Sequence, residues 1–186
     1  MELTFSNTLR AAYLAELVRA FQTYFPNGFL GRTAMQKLTY FARATGVPVP
    51  CSFEIYNYGP YSDQLTFAVD GLLADEILVD TSPNSSKYSN YRLARDGALF
   101  PQGLEKKVAP YRDQIKSVVK NLGNFRPEQL ELIGTLHFVH HRLESLHRKK
   151  PSQSAVISEF AKVKGNKFTK GEVTAWYCAL RNAGLV

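Results

Sequence analysis

One stretch of the sequence gathers most of the side chains able to bind a metal or move a proton: His137, His140, His141, Glu144 and His147. On a helix, His137 and His141 stand four residues apart and share a face with Glu144, so imidazole nitrogens and a carboxylate could converge on an ion or relay a proton. The pattern stops short of a recognised site. The HExxH order is absent, no further ligand follows at a metal-binding spacing, and His137 and His140 occupy positions that an apolar helix face would fill. These residues are therefore read as core or surface histidines. No GxSxG, P-loop or GxGxxG pattern occurs, and neither Cys51 nor Cys178 lies beside a histidine in a nucleophile signature. The expectation is a protein with no catalytic, metal or cofactor site.

The helix that would carry these groups runs from Pro127 to about His147, with Pro127 in a tolerated first-turn position. Leu130, Ile133, Leu136, Val139 and Leu143 make it apolar over much of its circumference, which suits a central helix. Before it, Asn7 or Thr8 caps a helix to Tyr24, Thr33 caps another to Thr45, Ser62 caps a third to Asp75, and Asp96 caps a short one. Leu104 to Leu122 reads as one long amphipathic helix stopped by Gly123. After the basic linker Arg148 to Pro151, Ser152 or Ser154 caps a helix to Lys164, and Thr169 with Glu172 forms a capping box for the last one.

Val47-Pro48-Val49-Pro50 cannot be helical and forces an extended path into a strand over Cys51 to Tyr58, ended by the breaker pair Gly59-Pro60. Ile77 to Thr81 and Tyr88 to Ala94 read as a hairpin, joined by turn formers. Helix, turn, helix, hairpin is the order of a winged helix. The expected fold is thus mainly α with a small β-hairpin wing: a winged-helix-like core wrapped by additional helices. Its parts are residues 1 to 100 and a helical extension, 101 to 186, packed as one compact unit.

The 186 residues, 45% hydrophobic and 21% charged, have an ordinary globular composition. No apolar run is long enough to cross a bilayer, and the first helix carries acids unlike a signal peptide, so the cytoplasm is the expected location. Two isolated cysteines imply buried free thiols. The net charge of +7 is uneven: Arg142 to Val186 holds nine Lys or Arg against three Glu, and the rest is nearly neutral.

QKLTYFAR, FEIYNYGPYSDQL and VDGLLADEILV, followed later by LELIGTLHFVHHRLE and VISEFAKVKGNKFTKGEVTAWYCALRNAGL, give the chain its likeness to a known group. It resembles the YwgA-like proteins and, more distantly, the SocA-like (Panacea domain) antitoxins. The resemblance implies a prokaryotic or phage setting and a recognition protein without enzymatic activity, whose partner is a toxin or a defence-system component.

The Gly-Pro corner fixes the backbone around Tyr56, Tyr58 and Tyr61. Tyr56, Tyr58, Gly59, Pro60, Tyr61 and Gln64 are accordingly the candidate contact surface for a protein partner, while the plainer reading has the rings plugging the core. The rival is a nucleic-acid-binding regulator using Lys87 and Arg92 of the wing and the basic Arg148, Lys149, Lys150, Lys162, Lys164, Lys167 and Lys170. No membrane partner is expected, and a homodimer is left open.

Overall fold

The computed structural model describes residues 8–82, 88–94, 100 and 102–186. Among them the chain is mainly helical, with two separate two-stranded antiparallel sheets. The elements follow as α1 (Leu9–Tyr24), α2 (Arg32–Ala44), β1 (Glu54–Tyr56), β2 (Gly59–Tyr61), α3 (Asp63–Ala74), β3 (Leu78–Asp80), β4 (Tyr91–Leu93), α4 (Gln102–Val108), α5 (Arg112–Leu122), α6 (Pro127–His147), α7 (Gln153–Lys164) and α8 (Lys170–Asn182). Among the described residues no helix is long and apolar enough to cross a membrane.

These elements sort into two compact units, Met1–Phe53 with Ser62–Phe125, and Glu54–Tyr61 with Arg126–Val186. The sequence placed a division after residue 100; here α4 and α5 group with α1, and the chain passes to the other unit after Phe125. The eight residues Glu54–Tyr61 leave the first unit to join the second, then the chain returns.

In the first unit α1 is the central helix. The Thr8 hydroxyl caps it by accepting the Ala11 N–H at 3.1 Å, and Ala, Leu, Val and Phe side chains bury most of its circumference against α3, α4, α5 and β4. Its one buried acid, Glu16, is paired with Arg19 and, at 3.2 Å, with Arg112 of α5.

Helix α2 begins one residue before the expected cap: Gly31, not Thr33, is the N-cap, and Thr33 lies inside the first turn. It is buried nearly all round, Gln36 included. The Gln36 amide reaches Ser62 with both ends, Oε1 accepting the Ser62 N–H at 2.9 Å and Nε2 donating to the Ser62 carbonyl at 2.9 Å. Nε2 also lies 3.3 Å from Thr66 Oγ1. Ser62 is the N-cap of α3 but makes no side-chain capping bond, so Gln36 fixes this junction in place of the hydroxyl.

The hairpin β3–β4 pairs Leu78 with Leu93 and Asp80 with Tyr91. The Tyr91 N–H donates to the Leu30 carbonyl at 3.0 Å, tying the hairpin to the turn before α2. Burial opposes ionisation of Asp80, but the Asn90 N–H and the Ser82 hydroxyl and N–H donate to it and hold its carboxyl down to about 2. The turn residues 83–87 and the expected Asp96 cap lie outside the described residues, and so does Lys87.

The helix expected over Leu104 to Leu122 is broken. Pro110 lacks the N–H that a continuous helix needs, and Ala109–Tyr111 tighten into a 3-10 turn between α4 and α5. Gly123 ends α5 in right-handed backbone, so its role is space rather than a left-handed turn: a Cβ there would lie 2.5 Å from the Phe25 ring and 2.6 Å from the Val119 carbonyl.

In the second unit α6 is central, packing α7, α8 and β2. Ser152 caps α7 through the Ala155 N–H, and Thr169 with Glu172 closes the expected capping box on α8. On α8, Val173, Tyr177 and Leu180 are buried and Trp176 is half-buried; Cys51 is buried and Cys178 half-buried, both free.

Replacing Gln36 with Leu strands the buried Ser62 N–H, worth about 1–3 kcal/mol when left unpaired, while the Ser62 carbonyl keeps the Leu65 and Thr66 N–H groups. Urea unfolding is expected to show a loss of about 1–3 kcal/mol. For Asp80 the folded pKa lies below the unfolded value of about 3.9, so its contribution is present above that pH and fades as pH falls through about 2. Because the group is solvated, the effect is discounted to about 1 kcal/mol or less. Asp80→Asn is expected to lower the melting temperature at neutral pH and to match the parent protein near pH 2.

Candidate functional site

The sequence read Gly59-Pro60 as the end of a strand. The structure instead makes Gly59-Pro60-Tyr61 a strand of its own, paired antiparallel with Glu54–Tyr56 in the register Tyr56 to Gly59, Ile55 to Pro60 and Glu54 to Tyr61. Asn57 and Tyr58 form the turn, and Gly59 follows at φ +86°, a left-handed position that glycine occupies without strain. Pro60 is tolerated because each strand of a two-stranded hairpin has an open edge.

Gly59 and Pro60 are buried, and β2 packs on α6. Tyr56 and Tyr58 are 62% and 63% exposed. The Tyr61 ring is half-buried, 5.5 Å from the Tyr56 ring and tilted 34° to it. The hairpin thus buries its glycine-proline side and displays its tyrosines. Gln64 lies on α3 in the first unit, where its Oε1 accepts the Ser52 N–H at 2.9 Å.

An ion cluster holds the hairpin turn. Lys164 Nζ, at the end of α7, donates to the Asn57 carbonyl at 2.6 Å and to Glu131 of α6 at 2.9 Å. Lys167 Nζ binds the same carboxylate at 2.7 and 2.9 Å and stands 5.2 Å from the centre of the Tyr58 ring, within cation–π range. The side chains of Glu131 and Lys164 are each 3% exposed, that of Lys167 40%. Burial pulls the Lys164 ammonium below the ordinary lysine range, partly offset by Glu131. The desolvation of such a pair is offset only with complete hydrogen bonding, which the Asn57 carbonyl and the second ammonium supply.

The structure therefore brings Tyr56, Tyr58, Gly59, Pro60 and Tyr61 together with Lys164 and Lys167. Glu131 was not singled out in the sequence, where it looks like one acid on an apolar helix. Its distance of 33 and 36 residues from its partners leaves no local signal. The other cations are dispersed. Lys162 pairs with Glu159 at 3.0 Å, Arg92 donates to the Pro26 carbonyl at 2.9 Å, and Arg148, Lys149, Lys150 and Lys170 are exposed, Arg148 in left-handed backbone at the end of α6.

The histidines form a second cluster. His140 is buried with its Nδ1 2.8 Å from the Tyr177 hydroxyl, and burial followed by His141 lowers its pKa. His137 is buried too, its pKa brought down to about 3 by burial and then by His141 and His140. The His141 ring lies 4.4 Å from that of His137, with Nδ1 3.1 Å from Glu144 Oε2 and Nε2 3.0 Å from the Leu185 carbonyl. His147 is exposed.

No protein-family model matches the chain. It is similar to the uncharacterized protein YwgA of Bacillus subtilis strain 168, 28% identical over 109 residues, or 58% of this chain and 63% of that protein. The YwgA-like resemblance is supported to that extent, and the match spans less than two thirds of the relative's length.

Lys164→Met removes both the bond to the turn carbonyl and one of two ammoniums on a buried carboxylate. It is expected to cost about 2–3 kcal/mol in urea unfolding and to speed amide exchange at Gly59 and Tyr61. Lys167→Met, on the wet side of the same carboxylate, is expected to cost about 1 kcal/mol or less.

Proposed function

We propose that this protein acts by binding another protein, with the Tyr56–Tyr58 hairpin as its docking face. The observation that supports this reading is the pairing of two largely exposed tyrosines with a turn tied down by Lys164 and Glu131. Tyrosine offers a large amphipathic contact area at little entropy cost, and a backbone already fixed leaves less freedom to lose on docking. Such rings are common among residues that dominate binding energy.

In this proposal α1, α2 and α3 with the β3–β4 hairpin form a winged-helix-like core, and the protein performs no chemistry on its partner. The likeness to YwgA, together with the more distant SocA-like antitoxin pattern, makes a toxin or a phage-defence component the partner we put forward, in a prokaryotic cytoplasm. A second reading, nucleic-acid binding, is favoured by the exposed Arg148, Lys149, Lys150 and Lys170.

The test is co-expression with the products of genes adjacent to its own, followed by tandem purification and titration. The expected result is a stoichiometric complex that Tyr56→Ala with Tyr58→Ala weakens about 30-fold or more, equivalent to about 2 kcal/mol. Absence of any complex, or a complex indifferent to both substitutions, overturns the reading. Affinity for duplex DNA that falls by decades between about 50 and 200 mM salt would favour the second.

A further inference from the structure

The geometry points to a transition-metal site on α6, formed by His140, His141 and Glu144, whose chemistry suits Zn2+. One ligand atom from each of the three lies within 4.8 Å of the others. Glu144 stands one turn beyond both histidines, at i+4 from His140 and i+3 from His141, so a single rigid element carries the whole donor set.

The hydrogen bonding around the two imidazoles is that of metal ligands. The Leu185 carbonyl can only accept, so the Nε2 of His141 that faces it at 3.0 Å carries a proton. In the tautomer that carries only that ring proton, Nδ1 is the nitrogen that faces Glu144 Oε2, at 3.1 Å. Two acceptors at that distance need a positive charge between them. A proton supplies it, and so does a metal ion: at bond lengths near 2.0 Å, donors around a tetrahedral Zn2+ stand about 3.3 Å apart.

His140 is arranged in the same way. Its Nδ1 faces the buried Tyr177 hydroxyl at 2.8 Å, and in the tautomer that donates to that oxygen Nε2 is the nitrogen left to bind an ion. A ligating histidine commonly donates its other ring N–H to such an outer partner, which fixes the ring and its tautomer. Here both histidines have one, a tyrosine and a backbone carbonyl.

The side chains of His141 and Glu144 are 45% and 42% exposed, which gives an entry path and room for Glu144 to rotate onto the ion. Two imidazoles and one carboxylate suit Zn2+ better than Ca2+ or Mg2+, and three protein ligands leave a fourth position for water. Through His141 the ion would also anchor the Leu185 carbonyl near the end of the chain.

The test is calorimetric titration of the 186-residue protein with Zn2+ alone, paired with Co2+ titration followed by its d–d absorption. One ion per chain and a tetrahedral Co2+ spectrum are expected. Glu144→Gln and His141→Ala should each weaken binding at least about tenfold, and Tyr177→Phe about 10–100-fold as an outer partner. His147→Ala should leave affinity unchanged. No stoichiometric ion, or an affinity that survives both Glu144→Gln and His141→Ala in folded protein, overturns the site.

Discussion

The second unit depends on one carboxylate. Glu131 sits buried on the central helix α6 with ammonium groups from Lys164 and Lys167 on it, and Lys164 extends the contact to the carbonyl of the Asn57 turn. A buried carboxylate without partners would be costly enough to pull water into the interior or take up a proton. Once two ammoniums are committed to it, the end of α7, the loop before α8 and the β1–β2 turn can no longer move independently. The two lysines carry one more charge than the acid, and the excess appears at Lys167, beside the Tyr58 ring.

That constraint explains how a short hairpin remains ordered while displaying aromatic rings. A two-stranded ribbon is marginal by itself. Here one side of it, Gly59 and Pro60, is buried on α6, and its turn carbonyl is bonded. The first unit uses a neutral equivalent at the point where the chain returns from the hairpin: Gln36 holds Ser62 by both ends of its amide. A buried amide that bonds a backbone donor and acceptor together specifies one arrangement of α2 and α3, because any slip leaves the Ser62 N–H and the amide itself unpaired.

The two clusters on α6 differ in kind. Glu131 near its start is sealed and saturated, which suits a fixed support. His141 and Glu144 near its end are half open, with Nδ1 3.1 Å from the carboxylate and Nε2 on the Leu185 carbonyl. Burial keeps His137 and His140 toward the uncharged form.

Helix positions were legible in the residues because capping and periodicity are local. Thr8, Ser152 and the Thr169–Glu172 box cap where their side chains say they should, and the apolar faces of α1 and α5 to α8 point inward, with Trp176 only half covered. Local reading failed at three positions, for the first of which the missing proline N–H is itself a local cause. Pro110 ended a helix that periodicity carried through it, Gly31 displaced Thr33 as a cap, and Pro60 entered a strand that its type argues against. The sequence by itself determined which segments are helical, where the basic charge lies, and that tyrosines crowd a Gly-Pro turn. Only the tertiary structure decided which rings are exposed, that Lys164 and Lys167 serve a buried acid, and that Tyr177 and Leu185 orient two histidines. Those pairings join residues some 33 to 107 positions apart, and hydrogen bonds at such separations leave no period or spacing to read.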